Sequence, residues 1–326
     1  MRKKIVGIAM GGYSSEREIS LKSGNEVYNN ISKNKWIIYK LIINQNNWLV
    51  IDENQNEFFF NRNDFSFSIG QRTLYFDIIF NSIHGIPGEN GELAGMLKFH
   101  NIPHTSCDQN EAELTFNKIK CLKSAKKIGI STAKSISFKK GDKFDLKSIT
   151  NNVSLPCFVK PNSSGSSFGV VKVYKKKAMS EAIETALKED SEILIEENLL
   201  GSEVSVGVYS KKGKLIVLPP TEIISKNDFF DYQAKYEGKC DEITPANLDS
   251  IEIEKLTEAS VKLYTNLKIK GICRIDFIIV SGIPHLLEIN SVPGLTPLSI
   301  IPQQLEAAGI KLSDFYNELI EEALKK

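Results

Sequence analysis

The sequence predicts an α/β protein of two or three packed units, and three observations carry the prediction. At 326 residues the chain is longer than one hydrophobic core usually serves. Strand and helix signals alternate through the first hundred residues, the order of a parallel sheet with crossover helices. Further on, short apolar strands flank a glycine- and serine-rich loop, and two more form a hairpin, as in small α+β units.

Charged residues make up 25% of the chain and hydrophobic ones 41%, and the formal net charge is +1. So balanced a chain sets up no large field, which argues against nucleic acid or a membrane surface as a partner. The start MRKKIVGIAMGG is basic and then apolar, but its apolar part is too short for a signal peptide and reads as a first strand. No stretch approaches the ~20 apolar residues of a membrane span. A cytoplasmic location is the expectation. Cys107, Cys121, Cys157, Cys240 and Cys273 include no CxxC pair and are read as reduced packing residues.

In chain order, KKIVGIAM is a strand, SSEREISLKSGNEVYNNI a helix, WIIYKLII and FDIIFNSI strands, and GELAGMLKFHNI a helix. Ligands of such sheets gather at the carboxyl ends of strands, where GGYS and HGIPGENG supply glycine-containing turns. FNKIKCLKSAKKIGI reads as a helix, LPCFVKP and GVVKVYKKK as strands around the loop, and AMSEAIETALKED as a helix. EILIEENL, EVSVGVYS and KLIVLPP are further strands; SIEIEKLTEASVKLYTNL is a helix, and another helix closes the chain after the hairpin. From about Ser225 to Asn247 no period is evident, and NDFFDYQAKYEGK mixes aromatics with lysines there, as an active-site lid does.

The hairpin RIDFIIVSGIPHLLEIN holds the most telling polarity. Alternation puts Arg274 and Asp276 on one face of its first strand, and Glu288 and Asn290 on one face of its second. A turn centred on Gly282 pairs 274 with 290 and 276 with 288. Facing carboxylates repel unless a cation lies between them, and Asp, Glu and Asn oxygens suit a hard ion such as Mg²⁺. The alternative is an exposed edge hairpin with Asp276 bonded to a lysine.

Three weaker constellations accompany it. VKPNSSGSSFGVVKV offers backbone N–H groups and hydroxyls to phosphate, with Lys160 and Lys118 as cations, or is a serine-rich turn with solvated lysines. It lacks the GxxxxGK[ST] pattern of a P-loop. In GGYSSEREIS, Ser15 and Glu18 have capping-box spacing; Glu16 is either a helix-start acid or a holder of a substrate ammonium, and His84 a turn residue or a substrate contact. Glu196 and Glu203 bracket a turn between strands that can meet a nucleoside.

Taken in order, GGYSSEREISL, HGIPGENGELAGML, VKPNSSGSSFGV, DFFDYQAKY, RIDF and EINSVPGLTPLSIIP resemble the D-alanine–D-alanine ligases of the ATP-grasp superfamily, over essentially the whole chain. The resemblance implies three α/β domains: an N-terminal parallel-sheet substrate domain (1–105), a small central α+β domain (106–194) and a C-terminal α+β catalytic domain with the metal-binding hairpin (195–326). It implies ATP and Mg²⁺ (two ions, with Mn²⁺ as a substitute), two D-alanines as substrates, and a homodimer. Glu16 would hold the first D-alanine's ammonium in a network with Ser166 and Tyr236, with His84 beside it. Lys118, Lys160 and Lys235 would meet phosphates beneath Ser166 and Ser167, and Glu196 and Glu203 adenine and ribose. Asp276, Glu288 and Asn290 fall on the metal ligands, Arg274 and the Gly294 N–H on the oxyanion contacts, and Ser299 and Ile300 on the second D-alanine's carboxylate site. The implied activity is ATP-dependent formation of D-alanyl-D-alanine through an acylphosphate, for peptidoglycan precursors. Phe230 and Phe168 depart from the family pattern, which commonly has tyrosine and a smaller apolar residue there. A different acceptor such as D-lactate, or a regulatory nucleotide-binding protein of the same fold, are the competing readings.

Overall fold

The computed structural model describes residues 2–165, 167–225 and 240–325, which three sheets organise. The first contains β1 (Ile5–Gly11), β2 (Ile37–Ile43), β3 (Trp48–Ile51), β4 (Glu57–Asn61), β5 (Ser66–Ile69), β6 (Arg72–Tyr75) and β7 (Ile78–Asn81), in the order β6-β5-β4-β3-β2-β1-β7. Only β1, β2 and β7 are parallel. The strands from β2 to β6 form an antiparallel meander, so the expected wholly parallel sheet is corrected. Polar turns such as Asp52–Asn56 and Asn61–Asp64 separate short alternating runs, the hairpin signal that marks such strands.

All seven residues of β1 are buried because both its faces are covered. Ile5 and Ala9 pack with Leu93 and Leu97 of helix α2 (Glu92–Phe99). Val6, Ile8 and Met10 meet Val27 and Tyr28 of α1 (Arg17–Asn30), and also Phe315, Tyr316 and Leu319 near the C-terminus. Each such side chain contributes about 1.5–3 kcal/mol when fully buried. This shared core fixes the N-terminal turns relative to the last quarter of the chain.

The second sheet joins β9 (Ser135–Lys139), β10 (Cys157–Pro161), β11 (Val171–Val173) and β12 (Glu192–Glu197), antiparallel in the order β11-β10-β12-β9. Helices α5 (Leu146–Asn152) and α6 (Met179–Glu189) cover it through Ile149, Met179, Ile183 and Ala186. The third sheet comprises β8 (Ser131–Thr132), β13 (Ser202–Lys211), β14 (Lys214–Val217), β15 (Thr221–Ser225), β16 (Cys240–Ile243), β17 (Ile272–Val280) and β18 (Ile283–Asn290). Helices α3 (Gln109–Phe116), α4 (Lys118–Lys127) and α7 (Ser250–Asn266) share its core through Ala112, Leu122, Leu256 and Leu263. By sheet and core membership, residues 109–132 therefore group with the third sheet. Two helices end the chain, α8 (Ile300–Ala307) and α9 (Leu312–Ala323), and α9 carries Phe315 and its neighbours onto the first sheet.

Part of the segment expected to be irregular is ordered: Glu222 to Ser225 of β15 pair with Cys240 to Ile243 of β16. The lid residues Phe230, Lys235 and Tyr236 lie outside the described residues. Cys107, Cys121, Cys157 and Cys273 are buried free thiols, and burial pushes Cys107 and Cys121 up to about 12, as packing residues require. Among the described residues no helix is long and apolar enough to cross a membrane.

Helix α8 is anchored by Gln304, fully buried, whose amide donates to the Ser205 carbonyl and Thr221 Oγ1 and accepts from the Gly207 N–H, at 2.8, 3.1 and 3.0 Å. Gln304→Ala removes the partners of the Gly207 N–H and the Ser205 carbonyl and one of the two partners of Thr221 Oγ1, which keeps Thr244, and the expected loss is about 2–4 kcal/mol in the urea unfolding free energy. A loss below about 1 kcal/mol contradicts this account.

Candidate active site

The β17–β18 hairpin pairs Arg274 with Asn290 and Asp276 with Glu288, as the sequence predicts, but by a different route. The turn is the two residues Ser281 and Gly282, both at positive φ (50° and 72°), so Val280 faces Ile283 and the register near the turn is one residue off. Two positive φ values suit the right-handed twist of a tight hairpin. An irregularity between Asp276 and Phe277 then restores the pairing, leaving Leu287 as the extra residue on β18. Such a bulge re-aims side chains, and here both Leu287 and Glu288 line the same cleft as Asp276.

Asp276 is buried at 6% exposure, which excludes an exposed edge hairpin. Its partner is an arginine and not a lysine. Arg274 Nε and Nη2 donate to its two oxygens at 2.8 and 2.7 Å, Ser205 Oγ donates at 2.6 Å, and Asn290 Nδ2 at 3.0 Å. Lys118 Nζ lies 3.5 Å from Glu288. The repulsion between the facing acids is thus offset by a forked guanidinium on one and an ammonium on the other. Among the described residues no group of three or more His, Cys, Asp or Glu converges; the hairpin set is two carboxylates and an amide. Oxygen donors of this kind, on a half-dry shelf beside lysines, fit Mg²⁺ that takes further ligands from nucleotide phosphates and water.

The cleft over this shelf lies between the second and third sheets. Lys118, Lys160, Ser167, Glu196 and Glu203 line it together with Asp276 and Glu288. Lys160 Nζ pairs with Glu196 at 2.6 Å, and Lys118 Nζ donates to the Ser164 carbonyl at 2.6 Å, which ties the start of α4 to the glycine-serine loop. Burial pushes the Lys160 ammonium down, but Glu196, Glu288 and Glu203 outweigh it and hold the pKa above the ordinary value. Both ammonium groups thus line the cleft, each held by an acidic or carbonyl partner. Ser166 lies outside the described residues.

The apolar walls of this cleft escaped the sequence reading. Phe158, Ile278, Leu199 and Leu287 line it, a surface suited to a purine ring. Phe158 and Ile278 each stand two residues from a charged residue already singled out, Lys160 and Asp276, so strand alternation marks them. Leu287 faces the cleft through the bulge alone.

A second cluster lies at the carboxyl end of the first sheet. Helix α1 opens at Arg17 with Glu16 as its N-cap, and no side-chain cap bond forms, so the expected Ser15–Glu18 capping box is absent. Ser14 Oγ instead accepts from the Glu16 N–H at 3.3 Å and donates to the His84 carbonyl at 3.2 Å, which turns the chain toward the second loop. Glu16 is 8% exposed and wedged between two glycines: a Cβ on Gly85 (φ 67°) would stand 3.1 Å from its Oε2, and one on Gly165 would overlap its carboxylate. Glu89, also buried, accepts the Gly85 N–H at 2.7 Å; burial first, and Glu16 second, push its carboxyl up to about 8.

The connection from β18 to α8 completes the site. Gly294 abuts Ser299, where an added Cβ would meet Ser299 Oγ at 2.7 Å, and Ser299 Oγ is 2.8 Å from Thr296 Oγ1. Ser299 occupies the N-cap position of α8 without a side-chain cap bond, and Ile300 is the first residue of the helix, so both stand at the positive end of the helix dipole, which favours a carboxylate.

The chain is similar to known proteins in sequence and in fold. Residues 5–107 match the family model described as D-ala D-ala ligase N-terminus, and residues 125–321 the one described as D-ala D-ala ligase C-terminus. The chain is 49% identical over 321 residues to a D-alanine–D-alanine ligase of Flavobacterium johnsoniae, covering 98% of this chain and 99% of that one. A ligase of the same description from Christiangramia forsetii is 44% identical over 324 residues, covering 99% of each. Among solved structures, the VanG D-Ala:D-Ser ligase of Enterococcus faecalis superposes with a TM-score of 0.88 at 32% identity, covering 99% of this chain and 100% of that one. The Bacillus anthracis D-alanine–D-alanine ligase complexed with ATP gives 0.78 at 27% identity, covering 99% and 98%.

Proposed function

The chain belongs to the D-alanine–D-alanine ligase family, and from that premise we propose how its residues share the ATP-dependent joining of two D-alanines. The reading is carried by one observation: Asp276 and Glu288 face each other across the hairpin inside a lysine-lined cleft. The first D-alanine's carboxylate attacks the γ-phosphoryl group of ATP, and the second D-alanine's amine then displaces phosphate from the acylphosphate. No covalent enzyme nucleophile is needed, since phosphoryl transfer is mostly positioning and charge neutralisation.

Asp276, Glu288 and Asn290 would hold Mg²⁺, which when bound neutralises the phosphate charge. Lys118, Lys160 and Lys235 take phosphate oxygens, the first two in exchange for their carboxylate and carbonyl partners, beneath the Ser166–Ser167 backbone. Phe158, Ile278 and Leu287 flank the adenine, while Glu196 and Glu203 meet adenine and ribose. Glu16, in its glycine cradle, holds the first substrate's ammonium with Ser166 and Tyr236. Arg274 and the Gly294 N–H donate to the oxyanion of the tetrahedral intermediate, and the start of α8 at Ser299 and Ile300 takes the second substrate's carboxylate. The three sheets correspond to an N-terminal substrate domain, a central domain and a C-terminal catalytic domain, working as a homodimer in the cytoplasm.

The deciding measurement is ADP release by the purified protein with ATP and Mg²⁺, with and without D-alanine. Release that requires D-alanine and yields D-alanyl-D-alanine is expected, with D-serine and D-lactate poorer acceptors at neutral pH. ADP formation indifferent to D-alanine overturns the reading.

A further inference from the structure

The segment Val292–Leu295 belongs to no sheet or helix, yet Val292 and Leu295 are buried at 4% and 2% exposure. Buried backbone groups outside regular structure must find partners elsewhere. Here three come from side chains of the N-terminal unit. The Val292 N–H donates to Glu89 Oε1 at 3.3 Å, the Val292 carbonyl meets His84 Nδ1 at 2.8 Å, and the Leu295 N–H donates to Ser23 Oγ at 3.3 Å. Ser23 Oγ is also 2.9 Å from His84 Nε2.

The protons of this ring can be assigned. A carbonyl only accepts, so His84 Nδ1 carries a proton. Burial lowers the His84 pKa, opposed by Glu16, so the ring is neutral and Nε2 is an acceptor. The Ser23 hydroxyl therefore donates to Nε2, and its oxygen accepts the Leu295 N–H. The bonds run in one direction from Leu295 through Ser23 and His84 to Val292, closing a loop around Pro293 and Gly294. Glu89 ties the same segment to the Gly85 N–H, beside the Glu16 cradle.

We propose that Ser23 and Glu89 are positioning residues for the second chemical step: with His84 they hold Val292–Leu295 so that the Gly294 N–H is aimed at the oxyanion. Both act through backbone and not on the reacting atoms. The proposal rests on the reading of Gly294 as an oxyanion donor given above. It implies that the unit holding the first substrate's ammonium also sets the donor for aminolysis, so the two register without adjustment.

The test separates the two steps. Exchange of ¹⁸O between bridging and non-bridging positions of ATP, in the presence of D-alanine, reports acylphosphate formation and reversal; dipeptide release reports aminolysis. For Ser23→Ala, dipeptide release is expected to fall by about tenfold or more, with the KM for D-alanine within about threefold of wild type and exchange per dipeptide formed increased. Ser23→Thr, which keeps the hydroxyl, should recover most of the rate. Glu89→Ala gives an independent arm: it removes both oxygens, which accept the Gly85 and Val292 N–H bonds, so the same partition should shift. If dipeptide and exchange fall in parallel in both alanine variants, or neither changes, the positioning role is wrong. A wild-type protein that shows neither exchange nor dipeptide with D-alanine defeats the underlying reading instead.

Discussion

Asp276→Asn is expected to lower kcat for dipeptide formation by about 10³-fold, the largest effect of any conservative change in the cleft. The side chain keeps its shape, so the loss is one of charge and acceptors. Four donors converge on the Asp276 carboxylate, from Ser205, Asn290 and twice from Arg274. An amide replaces one acceptor oxygen with a donor, which confronts at least one of them. It also strips half the negative charge from the proposed metal shelf, while Glu288, beside Lys118, is left as the remaining carboxylate. The nucleotide should bind more weakly at low Mg²⁺ and recover partly as Mg²⁺ is raised. Arg274 would meanwhile lie partly buried without its counter-charge, and a stability loss of up to about 3 kcal/mol should appear in urea unfolding. Activity within tenfold of wild type at saturating Mg²⁺ contradicts both the metal shelf and the charge accounting.

How far the hairpin was legible in the sequence is instructive. Strand period put Arg274 and Asp276 on one face, because the buried alternation of Ile275, Phe277 and Ile279 leaves no other face for them; the pairing with Asn290 and Glu288 came from a turn centred on Gly282, and the structure reaches it only through the bulge. The actual turn and the compensating bulge were not legible. A two-residue turn and a centred one differ by a single residue, and a bulge leaves no mark in the alternation of a strand as apolar as Ile283–Leu287. Leu287 went unseen for that reason. The meander from Trp48 to Tyr75 was overlooked for a different one: its strands are only four or five residues long, so the polar turns between them, and not a sustained period, carry the signal. Glu16 and Gly165, which stand 149 positions apart, could be joined only by the resemblance or the fold. Their contact depends on how the central loop leans on the first sheet.

That contact carries the second large prediction. Gly165→Ala is expected to reduce kcat/KM for D-alanine by about 10- to 100-fold, or about 1.4–2.8 kcal/mol of transition-state stabilisation, while leaving the fold as stable as before. Gly165 does not adopt the left-handed backbone that would make alanine strained, and replacing glycine at a compatible position tends to stabilise by about 0.4–1 kcal/mol through the unfolded chain. The whole cost therefore falls on the contact. A methyl group there overlaps the Glu16 carboxylate, and Glu16 has little room to retreat, with Gly85 close on another side and only 8% of its surface exposed. Either the carboxylate turns away from the substrate ammonium or the loop lifts from the phosphates. The two are separable: a raised KM for D-alanine with unchanged ATP affinity means the carboxylate yields, and a loss of ATP affinity means the loop does. Unfolding midpoints at or above wild type, together with either kinetic pattern, support the cradle; unchanged D-alanine and ATP parameters refute it.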